Sequence, residues 1–237
     1  MYSFDRTIIE FVLNHVSRSY YTFRLIEFFA DGDNLLKGGL FSIIFWYLWF
    51  RFNREGLEKR IQLMATLLSV FVVMAFTLGL ELLLPFKSRP MSNTGFFFTY
   101  PYSVNSNIHK LNSFPSDHAA LFISLTTGFF FISRKIGLWM LIYTILFILF
   151  PRLYLGYHYP TDLLGGALIG ASINIYFNRS AIVKEFIAKK VIPFTENHPS
   201  YFYPLLFLTT YEIADLFIGS RNMARFIYEI LKHSQVS

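Results

Sequence analysis

The chain has 237 residues, of which 54% are hydrophobic, 20% aromatic and only 15% charged. A soluble domain carries about 25% charged residues, so the shortfall, with a mean hydropathy of +0.43, points to lipid as solvent and to one integral-membrane domain over residues 1–237. Cysteine is absent, which excludes disulfides, thiolate metal sites and cysteine nucleophiles. The net charge of +6 is spread between apolar runs, where an anionic bilayer explains it and nucleic acid is not expected as a partner.

Residues 1–30 set Asp5, Arg6, Glu10 and Arg18 among Ile8, Ile9, Phe11, Val12 and Val16 at helical spacing. That pattern predicts interfacial helices rather than a cleavable signal. Six apolar runs follow: Leu35–Phe50, Ile61–Leu84, Ala119–Ile132, Ile136–Phe150, Leu163–Phe177 and Tyr201–Ile218. They predict an all-α, polytopic membrane helix bundle of about six helices, the last run being interrupted by Glu212 and Asp215. Gly165, Gly166, Ala167, Gly170 and Ala171 give the fifth run a face on which another helix can approach closely.

Residues 85–115 read as a long loop with Pro90, Gly95 and Pro101. The aromatic run Phe96–Tyr102 within it suits either acyl or isoprenyl contact or interfacial anchoring. The basic stretches Arg51–Arg60, Ser133–Lys135 and Arg179–Lys190 fall on one side, which the positive-inside rule places in the cytoplasm. The loop 85–115 and the segment Pro151–Asp162 then share the opposite, non-cytoplasmic face.

That face collects the chemistry. Lys87, Arg89 and Arg152 are expected to bind phosphate, with Ser116 and the N–H groups that open the third run adding hydrogen bonds. Arg152 is followed after five residues by His158, and His158 after three by Asp162. On a helical turn His158 and Asp162 share a face. The carboxylate would then fix the ring tautomer and leave the other nitrogen free as nucleophile. His118 is expected to protonate the departing oxygen and later to activate water. Asp117 is a further candidate, with complementing the helix dipole as its simpler role. Singly, Arg152 and Lys87 also read as snorkelling cations and Asp162 as a cap. Those separate readings do not explain why Arg, His and Asp fall at this spacing beside Ser-x-His. His15, His109, His198 and His233 have no carboxylate at useful spacing. No nucleotide loop or metal-ligand set occurs, so no cofactor and no metal are expected.

Lys87-x-Arg89-Pro90, Pro115-Ser116-Asp117-His118 and Arg152-x5-His158-x3-Asp162 resemble the three signatures of the type-2 phosphatidic-acid phosphatase superfamily, which includes lipid phosphate phosphatases and vanadium haloperoxidases. The resemblance implies a six-helix membrane plan and metal-independent hydrolysis through a phosphohistidine. The chain departs from the pattern at Leu82, where the first signature usually has Lys seven residues before the Arg, and at Pro151, where the third usually has Ser. Asp117 stands where many members have Gly, and in this resembles the bacterial undecaprenyl-diphosphate phosphatase branch. The expectation is a phosphoric monoester or diphosphate hydrolase in a bacterial inner membrane, its site facing the periplasm or exterior. Undecaprenyl diphosphate, phosphatidylglycerol phosphate and phosphatidic acid are candidate lipid substrates. A lipid phosphotransferase with the same histidine chemistry and a membrane transporter stay open as alternatives.

Overall fold

In hydrocarbon each backbone polar group must be satisfied within the chain, and a helix does this locally. Every described element is helical. The computed structural model describes residues 3–17, 19–32, 35–52, 56–93 and 112–219. The aromatic run Phe96–Tyr102, His109, Lys110 and His233 lie outside the described residues.

Two short helices, α1 (Ser3–His15) and α2 (Tyr20–Glu27), precede α3 (Leu40–Arg51) and α4 (Leu57–Leu83). After the loop come α5 (Asp117–Ile132), α6 (Arg134–Tyr143), α7 (Phe150–Tyr154) and α8 (Pro160–Arg179). The chain continues through α9 (Ala181–Phe186), α10 (Ile192–Asn197) and α11 (Pro199–Ala214). The six expected runs fall on α3, α4, α5, α6 with α7, α8 and α11. Two helical stretches, Leu57–Leu83 and Arg134–Tyr154, are long and apolar enough to cross a membrane, and α5 is a shorter apolar helix. Phe71, Phe76, Leu138, Trp139, Leu164 and Leu168 face outward, an exterior suited to lipid rather than water. The molecule is an all-helical membrane bundle.

Boundaries differ from expectation in three places. The fourth run continues past Phe150 to Tyr154, through a π-wound turn at Thr144–Leu149. Pro151 has no N–H and crowds the preceding turn; it sits in the first turn of α7, directly after the widened one. Arg152 therefore lies on a helix, not in a loop. The basic stretch after Arg179 is also helical, in α9 and the π turn Ile187–Val191. The last run ends at Ala214, and Leu216 and Phe217 follow in the left-handed region at φ 57° and 58°.

Helices α4, α5 and α8 pack against one another, and α6 lies on α5. The closest approach is between α5 and α8. A Cβ added at Gly166 would lie 2.2 Å from the Ser116 carbonyl oxygen, and one at Gly170 would lie 2.1 Å from that of Ala120. The small-residue face read from the sequence is thus where α8 meets the backbone of α5. At one end of the bundle, Lys59 Nζ at the start of α4 donates to the Phe131 carbonyl near the end of α5 at 3.0 Å. At the other end gather the close of α4, the start of α5, the close of α7 and the start of α8, which carry the three motif clusters.

Gly170→Ala and Gly79→Ala test this packing. Gly79 has nothing within 4 Å of an added Cβ, so alanine there should stabilise by about 0.5–1 kcal/mol through helix propensity alone. At Gly170 the same change should destabilise by about 1–3 kcal/mol, since the obstacle is backbone. Thermal unfolding in detergent reads both; a Gly170→Ala protein as stable as Gly79→Ala would contradict the close approach.

Candidate active site

The site is assembled by short backbone ties between segments distant in sequence. Ser113 N–H donates to the Lys87 carbonyl at 3.0 Å, Met91 N–H to the Gly156 carbonyl at 3.0 Å, and Ser116 N–H to the Asp162 carbonyl at 3.2 Å. The Asn112 side chain accepts from Lys87 N–H at 3.1 Å and donates to the carbonyls of Glu81 and Pro85 at 3.3 and 3.4 Å. Gly156 adopts φ 70°, a conformation open to glycine at little cost. It turns the chain after α7 so that Tyr157 N–H returns to the Arg152 carbonyl at 2.9 Å. The three motif clusters are brought together.

His158 is buried. Its Nδ1 lies 2.8 Å from the Ser113 carbonyl oxygen, and its Nε2 lies 3.4 Å from Arg89 Nη1. A carbonyl only accepts and a guanidinium only donates. Nδ1 therefore carries the proton and Nε2 presents its lone pair. Burial, and then the Arg89 charge, push His158 well below the ordinary histidine pKa, so the neutral ring prevails at pH 7.

His118 repeats this arrangement. Its Nδ1 lies 2.7 Å from Asp117 Oδ1, and its Nε2 lies 2.7 Å from Arg152 Nη2. Each histidine thus offers Nε2 to an arginine. Arg152 is anchored from behind by donating from Nη1 to the Ala30 carbonyl at 2.6 Å. Arg89 is anchored on the Tyr157 carbonyl at 2.9 Å and the Asn112 carbonyl at 3.4 Å. Its Nε is buried and without a hydrogen bond among the described residues. Burial lowers the Arg89 pKa, with Asp117 and Glu81 opposing, and a guanidinium remains charged through such a shift.

Asp162 departs from expectation. It does not touch His158. Tyr159 is extended, at φ −72° and ψ 154°, and α8 starts only at Pro160, so the i,i+4 rule for a helical face does not reach back to His158. The fully buried Asp162 carboxylate instead accepts from Lys87 Nζ at 2.6 Å, Ser113 Oγ at 2.5 Å and Tyr159 N–H at 2.9 Å. Its hold on His158 runs through Ser113, which gives its hydroxyl to Asp162 and its carbonyl to His158. Nothing in the sequence spacing marks Ser113 for this.

Lys87 is correspondingly placed on Asp162, with its ammonium 4.5 Å from the Tyr159 ring centre, rather than against either histidine. Ser116 is fully buried, and its hydroxyl accepts from Ala119 N–H at 3.4 Å as the cap of α5. The N–H of His118 is taken by Asp117 Oδ1 at 2.7 Å. The opening N–H groups of α5 at His118 and Ala119 are thus satisfied within the helix. Asp117, read chiefly as a dipole complement, orients the His118 ring. His15 and His198 are exposed and away from the site. Among the described residues no three His, Asp or Glu side chains gather as a metal ion would require.

Asp5 was legible only as a charge in an amphipathic segment. It is buried and accepts from the Thr161 N–H and hydroxyl, both at 2.9 Å, so α1 caps α8 from outside.

Fold and site together define a helical membrane bundle with a buried histidine–arginine centre. The PAP2 superfamily pattern matches residues 63–182, about half of the chain and all three clusters, and the chain belongs to that superfamily. Among curated relatives, the bacitracin transport permease protein BcrC of Bacillus licheniformis is 37% identical over 106 residues, 44% of this chain and 51% of the relative. The undecaprenyl-diphosphatase BcrC of Bacillus subtilis (strain 168) is 36% identical over 76 residues, 32% of this chain and 39% of the relative. The putative undecaprenyl-diphosphatase YbjG of Escherichia coli (strain K12) is 30% identical over 148 residues, 61% of this chain and 67% of the relative. The chain thus spans about half or less of the length of the two BcrC relatives. No solved structure matches.

A double-mutant cycle on Lys87→Met and Asp162→Asn tests the placement of Lys87. The two changes should be non-additive in thermal stability, with a coupling of about 1–3 kcal/mol. Additive losses would separate Lys87 from Asp162.

Proposed function

We propose that the protein is a membrane lipid phosphatase that works through a phosphohistidine on His158. The observation that carries this reading is the pairing of each histidine Nε2 with an arginine inside one buried site. A phosphoryl group entering between Arg89 and Arg152 would take their donors and release both lone pairs. Phosphoryl transfer asks mainly for such positioning and charge stabilisation. A proton carried in by the phosphate passes to His118 Nε2, where Asp117 supports the charged ring; His158 Nε2 attacks phosphorus, the bond to the lipid oxygen breaks, and that oxygen takes the proton from His118. Neutral His118 then removes a proton from water. The hydroxide attacks the phosphohistidine, frees His158 and releases inorganic phosphate. Asp162 and Ser113 keep the proton on Nδ1 of His158 throughout.

A polyprenyl diphosphate heads the substrate list because two relatives carry the name undecaprenyl-diphosphatase, putative in one case; phosphatidylglycerol phosphate and phosphatidic acid present the same terminal group. The basic end of the bundle faces the cytoplasm by the positive-inside rule, which turns the site to the exterior or periplasm. One relative is named a transport permease, and transport is the outcome to which the histidine substitutions would be indifferent.

Replacing either histidine with Ala should lower phosphate release from these lipids by about a thousandfold, within the range of lost nucleophile or acid–base catalysis. His118→Ala should in addition accumulate acid-labile phosphate on His158 when the leaving group needs no protonation. Full activity in either variant, or retained label in His158→Ala, would overturn the reading.

The rate should also report the environment of His158. The neutral ring is the nucleophile, and burial and Arg89 lower its pKa. The acid limb of kcat/KM assigned to it should lie below the ordinary histidine range. Arg89→Gln removes the second cause, so the limb should move to higher pH, as well as weakening substrate binding. A limb that stays put or moves down would contradict the assignment.

A further inference from the structure

Asp5 is a buried carboxylate for which the proposed reaction has no use. It lies on α1, ahead of the matched residues 63–182, and is 2% exposed. Both of its oxygens meet Thr161: Oδ1 accepts the Thr161 N–H and Oδ2 the Thr161 hydroxyl, each at 2.9 Å. Thr161 Oγ1 in turn accepts from Lys87 Nζ at 3.4 Å, and that ammonium donates to Asp162 Oδ1 at 2.6 Å. Asp162 Oδ2 takes the Ser113 hydroxyl at 2.5 Å, and the Ser113 carbonyl faces Nδ1 of His158 at 2.8 Å. A continuous line of contacts therefore runs from α1 to the proposed nucleophile.

The direction of the bonds at Thr161 follows from the groups themselves. A carboxylate holds acceptors and no proton, and a hydroxyl has one proton to give. The Thr161 proton goes to Asp5, so Lys87 meets the lone pairs of Oγ1. With Asp5→Asn a single oxygen is left for two donors, and the amide nitrogen takes the place of the other. Oγ1 then accepts from the amide, and its proton turns toward the ammonium. Resting on the phosphatase reading above, we infer that Asp5 is a positioning residue of the active site. Through Thr161 it holds Lys87 on Asp162, and so keeps the Ser113 carbonyl against His158. It touches neither the phosphate nor the reacting atoms. Its effect falls on the rate rather than on substrate binding, because Arg89 and Arg152 are anchored elsewhere, on Tyr157 and Ala30.

Thr161→Val removes the hydroxyl and leaves the main-chain N–H on Asp5; Thr161→Ser keeps both. In purified full-length protein in detergent, Asp5→Asn and Thr161→Val should each lower kcat for lipid-phosphate hydrolysis, per folded molecule, by about three- to tenfold, the scale of one hydrogen bond. KM should stay near wild type, and Thr161→Ser should match wild type in both constants. In a Lys87→Met background the same two changes should lower kcat no further, because the ammonium they steer is gone. A simple helix cap predicts lost thermal stability with kcat per folded molecule unchanged, or the same fold loss with and without Lys87; either result overturns the inference. If Asp5→Asn or Lys87→Met does not fold, Thr161→Val against Thr161→Ser decides, and equal kcat values overturn it. Thermal unfolding adds a reading that needs no activity: Thr161→Val and Lys87→Met should be non-additive, and additive shifts overturn the link between them. A wild type that releases no phosphate from any lipid phosphate sinks the phosphatase reading itself, and the coupling in stability still decides whether Thr161 places Lys87.

Discussion

A carboxylate with no solvent exposure must be fully compensated, and Asp162 meets that demand with donors from three separate parts of the chain. Lys87 comes from the start of the loop after α4, Ser113 from the approach to α5, and Tyr159 N–H from the cap of the Asp162 helix. Removing any one leaves a buried charge partly unpaired, which is far more costly than losing an exposed pair. The three motif clusters are held together by that single requirement. The close backbone contact of Gly166 with Ser116 brings α5 near enough for the tie from Ser116 N–H to the Asp162 carbonyl.

The consequence for the histidines is a fixed tautomer at both positions, reached by different means. His158 gives its Nδ1 proton to a backbone carbonyl, which stays neutral, and so gains little help in becoming charged. His118 gives its Nδ1 proton to Asp117, whose charge opposes the burial and the Arg152 charge that disfavour an imidazolium there. The two rings differ in what holds Nδ1, a neutral carbonyl for the proposed nucleophile and a carboxylate for the proposed acid. Both Nε2 atoms nevertheless face an arginine, so in the proposed reaction an incoming phosphate would compete with the histidines for the same donors. Binding and activation would then be one event.

Much of this was legible in the sequence, and what was not has a common cause. Helical runs follow from apolar composition, and the fifth run's small residues mark its contact with α5, because burial and close packing act on local sequence. His118, His158, Arg89 and Arg152 could be selected because they fall at the motif spacing, and the fold brings the four into one centre. The pairing of His158 with Asp162 was misplaced because spacing assumes a helix on both sides of Tyr159, whereas Pro160 sets the helix start one residue later. Lys87 was read as a free cation because the sequence does not show which anion a lysine meets. Ser113 and Ala30 were invisible for the same reason: what they do comes from a backbone oxygen, which carries no residue signature.

The N-terminal segment changes meaning in this light. Read alone, residues 1–30 suggest helices resting on a membrane surface. In the folded chain Asp5 caps the helix that carries Asp162, Ile9 and Leu13 pack with Tyr159, and Ala30 holds Arg152. Tyr154, in the last turn of α7, donates its hydroxyl to the Ser17 carbonyl at 3.1 Å. Each contact lands within two residues of a group in the site. The superfamily match begins only at residue 63, yet α1, α2 and the turn after them hold the back of the histidine–arginine centre. Residues before the matched region are therefore part of the structure that fixes Arg152 against His118, and the geometry of the centre depends on them.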